Sequence, residues 1–573
     1  MRTYVRLGLL AIAVALALVA GRGTPAYAWS YPAPLNTNAA TDSGGDYQPE
    51  VTTDGGGNWV AVWESDDDLG GTIGTDRDIL VARSTNNGAT WTPPAALNSN
   101  AATDSGWDLA PQVTTDGAGH WLAVWMSGVA RSTDNGATWT YPAALNTNSG
   151  SVEYPQVTTD GAGQWLAVWN SSDDLGGTIG TDQDILVARS TDNGGTWTDP
   201  AALNTNAASD LGVDTYSEVT TDGAGHWLAV WNSSDDLGGT IGTDRDILVA
   251  RSTDNGATWT DPAALNTNAA TDSGGDWWPQ VTTDGAGHWL AVWYSYDTLG
   301  GTIGTDQDIL VARSTNNGAT WTAPAPLNTN AGADSEYDTH PQVATDGGSN
   351  WVAVWQSVDS LDGTIGEDGD VLLARSTNNG ATWTAPAPLN SSAAADSEVD
   401  EQPALTTDRA GNWLAVWMSR ENLGGTIGWD EDILYATCSP LDADCDGIPT
   451  VADTDPFDPF VCQDLDDDAC DDCSVLGMPD ASRDGADTDS DGACDAGDNC
   501  PTVANPGQED GDGDGVGDAC EQAAPVGGLA ELPDASGSAG PNYVALAALA
   551  GLAAAVLVAL GAGAWYARRR WVR

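Results

Sequence analysis

Carboxylates at regular spacing are the first residues in this chain that can do chemistry. Asp510, Asp512, Asp514, Asp518 and Glu521 stand at positions 1, 3, 5, 9 and 12 of a loop with Gly515 at position 6. Asp487, Asp489, Asp491, Asp495 and Asp498 repeat that order around Gly492, and Asp442, Asp444, Asp446 and Asp453 repeat it around Gly447 with no carboxylate at the ninth position. Hard oxygen donors at this spacing suit Ca2+ better than a softer metal, and a cation relieves the repulsion among them. The spacing therefore predicts calcium-binding loops. Asp464, Asp466 and Asp468 make a poorer copy, with Ala469 in place of the turn glycine.

A second set of acids recurs earlier in the chain. Asp-x-Asp pairs such as Asp182/Asp184 and Asp244/Asp246 close long acidic loops, for example 234–246, and a further family of acidic loops includes 266–276. The pairs offer oxygen donors for Ca2+; equally, an acidic rim can simply be solvated. A third set marks where repeated segments differ from one another. Glu367 stands where most copies have Thr, and one loop alone carries Arg420, Glu421 and Trp429. Tyr294, Tyr296, His340, Asp400 and Glu401 also break the repeat. Side chains of these types suit sugar binding when they converge in a cleft, and Glu367, Arg420, Glu421 and Trp429 are the candidate ligand-binding face.

The elements that position these residues come from a sevenfold repeat. Trp-x-Ala-Val-Trp begins at Trp59, Trp121, Trp165, Trp227, Trp289, Trp351 and Trp413, with starts 62 residues apart except for 44 between Trp121 and Trp165. In the fourth unit the pattern predicts strands at Glu218–Asp222, His226–Trp231, Asp246–Ser252 and Thr258–Asn266, separated by Gly-rich and Asn-Gly turns. Four short antiparallel strands per repeat make a propeller blade. The expected fold is thus all-β, a seven-bladed β-propeller over 29–437. Its ends are offset: a lone fourth strand at Trp29–Asn36 precedes the first unit, and the last unit stops after Asp432–Thr437. The N-terminal strand is therefore expected to complete the last blade, which leaves no sheet edge open. The second unit lacks the loop between its second and third strands and should notch the rim.

Six turns in this array read Ser-Thr-Asp-Asn-Gly or Ser-Thr-Asn-Asn-Gly before a Thr-Trp pair, at Ser84, Ser132, Ser190, Ser252, Ser314 and Ser376. They resemble the Asp-box (BNR) repeat of sialidases and related propellers. For a sialidase, that resemblance would imply three convergent arginines, a Tyr–Glu nucleophile pair and an Asp acid/base. Here Arg83, Arg131, Arg189, Arg251, Arg313 and Arg375 recur once per unit in the same Ala-Arg-Ser setting, as scaffold residues would, and no Arg-Ile-Pro element or single Tyr–Glu pair stands out. The stretch Asp498–Cys520 resembles a thrombospondin type 3 repeat, which implies a Ca2+-binding stalk over 438–521 and a disulfide between Cys500 and Cys520. The remaining cysteines are read as disulfides whose pairing the sequence leaves open.

The ends set the expected location. Met1 to Ala28 combines a basic start, an apolar run and Ala26-Tyr27-Ala28, the parts of a signal peptide. A Pro/Gly/Ala-rich linker over 522–542 leads to an apolar run over 543–567, long enough for one transmembrane helix, and then to the basic tail 568–573. Leu532–Gly537 ahead of that run resembles a sortase-type sorting signal, with Ala535 and Ser536 where the motif has Thr and Gly. The expected topology is exported and cell-surface, type I, anchored in the membrane by the C-terminal helix. Eighty-three acidic residues against 18 basic ones, with net charge −65, make nucleic acid an unsuitable partner. The functional expectation is a calcium-binding, non-catalytic binding or adhesion protein whose ligand is an extracellular glycan or protein. The alternative is an exo-sialidase or related glycoside hydrolase on the same scaffold.

Overall fold

The computed structural model describes residues 29–438, apart from 149, 391, 395 and 396, and further on residues 488–489, 493–495, 498–509 and 516–520. The segments read as signal peptide (1–28), linker (522–542), transmembrane helix (543–567) and basic tail (568–573) lie outside the described residues. Among the described residues there are 27 strands and one 3-10 turn, and no helix is long and apolar enough to cross a membrane.

The strands form seven separate sheets in a ring. In the fourth blade the strands run Asp214–Thr221, Trp227–Ser233, Asp246–Ser252 and Ala263–Ala264, each antiparallel to the last. The second strand explains the stacking. Alternation puts Trp227, Ala229 and Trp231 on one face and Leu228 and Val230 on the other, and all five are buried. Trp227, Ala229 and Trp231 pack against Leu166, Val168, Ile185 and Val187 of the third blade, and Leu228 and Val230 pack against Trp289, Ala291 and Trp293 of the fifth. Each Trp removes enough surface from water to contribute on the order of 5 kcal/mol before entropy is set against it.

The same interface recurs where the chain ends meet: Leu414, Val416 and Ile433 of the last blade pack against Trp59, Ala61 and Trp63 of the first. The expected closure is present. Ala33–Pro34 pairs with the last strand, Asp432–Cys438, as Ala33 opposite Tyr435 and Pro34 opposite Leu434. The Ser30 amide donates to the Thr437 carbonyl at 2.8 Å and the Leu35 amide to the Ile433 carbonyl at 2.7 Å.

Three details differ from the sequence expectation. The fourth strands shrink to two residues, because Pro262 has no amide and the Thr260 hydroxyl takes the Arg251 amide instead. Blade two keeps three strands, and its fourth is a single bridge, Val129 to Ala143. The first strand begins at Asp214, four residues before the predicted Glu218. The ladder passes from Thr215–Asn232 to Glu218–Val230, so two residues, Tyr216 and Ser217, oppose one, Trp231. This β-bulge hides the alternation.

The turns that carry the Asp-box resemblance are self-contained caps. Asp254 accepts from the Thr258 amide at 2.9 Å and hydroxyl at 2.7 Å, and the Ser252 hydroxyl accepts from the Gly256 amide at 2.9 Å. These bonds hold the Asp254 carboxyl down at about 2. They fix the turn and leave no group for chemistry.

Candidate metal centres and the axial pocket

Two loop families, those joining second to third strands and those joining one blade to the next, meet at one end of the ring. At the junction of the fourth and fifth blades, Asp244 and Asp246 come from the first family and Asp272 from the second. One carboxylate oxygen from each lies within 4.8 Å of the other two. Asn266 orients them from behind. Its Nδ2 donates to Asp246 Oδ1 at 2.7 Å and to Asp276 Oδ2 at 2.8 Å, while its Oδ1 accepts from the Ile247 amide at 3.1 Å. The opposite oxygens, Asp246 Oδ2, Asp244 Oδ2, Asp272 Oδ1 and Asp276 Oδ1, are buried without a hydrogen-bond partner, as is Asn268 Oδ1.

The loops reach this arrangement through glycine. A Cβ on Gly274 would stand 2.3 Å from the Asp297 amide nitrogen, so only glycine lets the two loops touch. Asp297 in turn accepts from Asn268 Nδ2.

Without a cation the cluster resists ionisation. Burial, followed by the charges of Asp272 and Asp244, pushes Asp246 up to about 7, and burial, Asp244 and Asp297 push Asp272 up to about 6. Asp276 is raised well above the usual carboxylate range, chiefly by burial. The constellation recurs as Asp42/Asp430/Asp432, Asp76/Asp78/Asp104, Asp182/Asp184/Asp210 and Asp306/Asp308/Asp334. These buried Asp clusters can hold a metal ion. The Asp-x-Asp half of each is a local sequence pattern; the other half is the last residue of a recurring Asn-x-Asn-Ala-x-x-Asp that only the fold brings to it. Among the described residues no such group occurs at the junction of blades two and three, where the first loop is missing.

The bulges build a second feature on the axis. Gln48, Tyr154, Tyr216, Trp278, His340 and Gln402 occupy one equivalent position in six innermost strands, and Ala110 holds the same place just ahead of the seventh, all at φ between 47° and 55°. That left-handed conformation is unfavourable for non-glycine residues, and here it recurs in every blade. All seven line a cavity of about 100 Å³. On one side the rings touch in series: Tyr154 to Tyr216 at 4.6 Å and tilted by 51°, Tyr216 stacked on Trp278 at 4.2 Å, and Trp278 to His340 at 4.6 Å and tilted by 56°. On the other side Gln402 Oε1 accepts from the Gln48 amide at 3.0 Å, and Ala110 leaves a gap.

Glu50, Gln112, Gln156, Glu218, Gln280 and Gln342 line the same cavity, and Gln112 Nε2 donates to Glu50 Oε1 at 2.7 Å. Both carboxylates border the cavity and are otherwise surrounded by protein. Burial therefore pushes Glu50 up to about 7 and raises Glu218 well above its ordinary range. Burial lowers His340 to about 4, which keeps its ring neutral.

The candidate ligand-binding residues sit elsewhere. Arg420 pairs with Glu431 at 3.1 Å, Trp429 is 72% exposed, Glu367 is exposed, and Glu421 is buried at the position equivalent to Asp297. None of the four lines the axial cavity, and no arginine does. Of the other residues that break the repeat, His340 joins the axial ring.

In the C-terminal region Asp442, Asp444, Asp446, Asp453, Asp487, Asp491, Asp510, Asp512, Asp514 and Glu521 lie outside the described residues. Asp495 accepts from the Thr488 hydroxyl at 2.7 Å and amide at 2.8 Å, which lower its pKa. Asp498 Oδ1 accepts from the Cys500 amide at 2.7 Å. Asp489 and Asp518 are also described, and the Asp518 amide donates to the Glu509 carbonyl at 2.7 Å. Cys438, Cys494, Cys500 and Cys520 are each disulfide-bonded.

No family model matches this sequence, and no curated protein is significantly similar to it. Among solved structures, the chain is similar to a protein of unknown function from Dyadobacter fermentans, at 14% identity and TM-score 0.41, over 72% of this chain and 99% of that one. It is also similar to the GH93 α-L-arabinofuranosidase of Fusarium graminearum, at 14% identity and TM-score 0.37, over 59% and 94%. A third similarity is to the Hadza microbial sialidase Hz136, at 16% identity and TM-score 0.36, over 71% and 67%. At these identities and scores the similarities carry no argument about activity, and the seven-bladed propeller stands on its own strand pairing.

Proposed function

We propose that this chain is a non-catalytic binding or adhesion protein of the cell surface, which takes one end of an extracellular glycan into its axial pocket. The observation that supports this reading is the break in symmetry on the axis. The Trp-rich strands hardly vary between blades, yet the seven equivalent axial positions carry Gln, Ala, Tyr, Tyr, Trp, His and Gln. Aromatic rings beside amide and carboxyl groups present both an apolar surface and hydrogen-bonding partners, as a sugar requires. About 100 Å³ is only about three water volumes, so the cavity admits the tip of a ligand and leaves the rest at the mouth.

In this reading Ca2+ is the ion of the propeller's carboxylate clusters and of the loops between 442 and 521. The signal peptide is removed after Ala28, and the segment 543–567 anchors the chain. Glycan-array binding by the extracellular part tests the proposal. Tyr216→Ala and Trp278→Ala should abolish capture while the near-ultraviolet Trp spectrum persists, and array signals unchanged in both variants would refute it.

One observation favours a second reading, a glycoside hydrolase. Glu50 and Glu218 line the same cavity, and a carboxyl raised to about 7 is poised to donate a proton at neutral pH. Turnover of aryl glycosides that disappears in Glu50→Gln and in Glu218→Gln would establish it.

A further inference from the structure

We infer that Ca2+ acts in this propeller as a clasp between neighbouring blades, and that the ion where the last blade meets the first holds the ring shut. The inference rests on reading the buried clusters as Ca2+ sites and adds what the ions do. Each site joins groups from two directions. At the closing junction, Asp430 and Asp432 come from the last blade, while Asp42 comes from the segment that enters the first. Asp432 is fully buried with Oδ2 unpartnered, and Asp42 Oδ1 and Asp430 Oδ2 are buried without partners too. Such oxygens are unfavourable unless something fills the space between them.

The chemistry selects the ion. All donors are oxygens, and no His or Cys belongs to any of the five groups. Ca2+ takes about six to eight oxygen ligands in flexible geometry, which suits carboxylates gathered from separate loops, whereas Mg2+ demands near-ideal octahedral geometry and keeps most of its waters.

The closing junction needs the clasp most. Between the fourth and fifth blades, the chain itself runs through the site from Asp246 to Asp272. At closure nothing covalent spans the gap. A two-residue strand, the Asn36 bond to Asp432 at 2.7 Å, the Gly428 bond to the Ala39 carbonyl at 2.8 Å, a few amide bonds and the apolar packing of Trp29 and Leu35 hold the ends. An ion that binds residues from both ends replaces the missing connection.

The test uses the full chain and Ca2+ itself. Equilibrium dialysis should show that Asp42→Asn/Asp430→Asn and Asp244→Asn/Asp272→Asn each bind one ion fewer than the parent. Hydrogen–deuterium exchange then reads closure at the 30–36 and 432–437 amides. These should exchange at least tenfold faster in Asp42→Asn/Asp430→Asn, and in the parent chain after Ca2+ removal with EGTA, but not in Asp244→Asn/Asp272→Asn. Ion loss with unchanged exchange at those amides would overturn the clasp and leave the Ca2+ sites standing. Undiminished uptake in both variants would overturn the sites as well. If Asp42→Asn/Asp430→Asn does not fold, the EGTA-treated parent decides: slow exchange at the closure amides without Ca2+ refutes the clasp.

Discussion

Withdrawing Ca2+ should make the propeller's stability fall as pH rises. Asp78, Asp184, Asp246, Asp308 and Asp432 each rise from 3.8 to about 7 when no cation is present, with burial as the first cause. A raised folded pKa means that the native state holds more protons than the unfolded chain between about pH 4 and about pH 7. The contribution is therefore full near pH 4 and is lost as pH rises through 7. At about 1.4 kcal/mol per pKa unit, one such Asp represents about 4 kcal/mol, or on the order of 2 kcal/mol once discounted for water at the loop ends. Five together approach 10 kcal/mol, comparable with the whole stability of an ordinary domain. In EGTA, thermal unfolding followed by Trp fluorescence should thus show a melting temperature that falls steadily from pH 4 to pH 7. With saturating Ca2+ the fall should vanish and the gap between the curves should widen with pH, because only ionised carboxylates bind the ion. Parallel curves with and without Ca2+ would refute the reasoning.

Three further outcomes are expected. Trp227→Ala, which empties the interface between blades three and four, should lower stability by about 3–5 kcal/mol in chemical denaturation. Deleting 29–36 should expose the edge of the last blade at Asp432–Cys438 and produce concentration-dependent oligomers in light scattering; a monomer of parent stability would contradict the closure. Replacing Asp510, Asp512 and Asp514 with Asn should remove Ca2+ uptake at that loop and spare the loop at Asp487, as measured by calcium titration of the two sites.

The blades were legible because Trp-x-Ala-Val-Trp buries both faces of a strand, a pattern that leaves no freedom about where it goes. The offset of Trp29–Asn36 against Asp432–Thr437 likewise had one physical outcome. What escaped was the axis. A bulge moves Tyr216 out of alternation, so the residues that face the cavity looked like ordinary strand-edge variation. The metal clusters were half legible for a different reason: Asp244 and Asp246 are close in sequence, while Asp272 reaches them only through the loop geometry that Gly274 permits. Arg420, Glu421 and Trp429 stood out by composition, but composition does not say that Arg420 is paired with Glu431.

Because every interface sets the same Trp-Ala-Trp face against an aliphatic Leu-Val or Val-Val face, the packed core of a repeat hardly records its ordinal number. A chain that gained or lost a whole 62-residue unit would still carry matching faces throughout and the same pair of ends to join. The apolar interfaces thus leave the blade count to ring curvature and to the number of repeats in the chain rather than to recognition between particular cores. During folding, the price of that interchangeability is that a blade can dock on the wrong neighbour, and only the meeting of the two ends tells a finished ring from a shortened one.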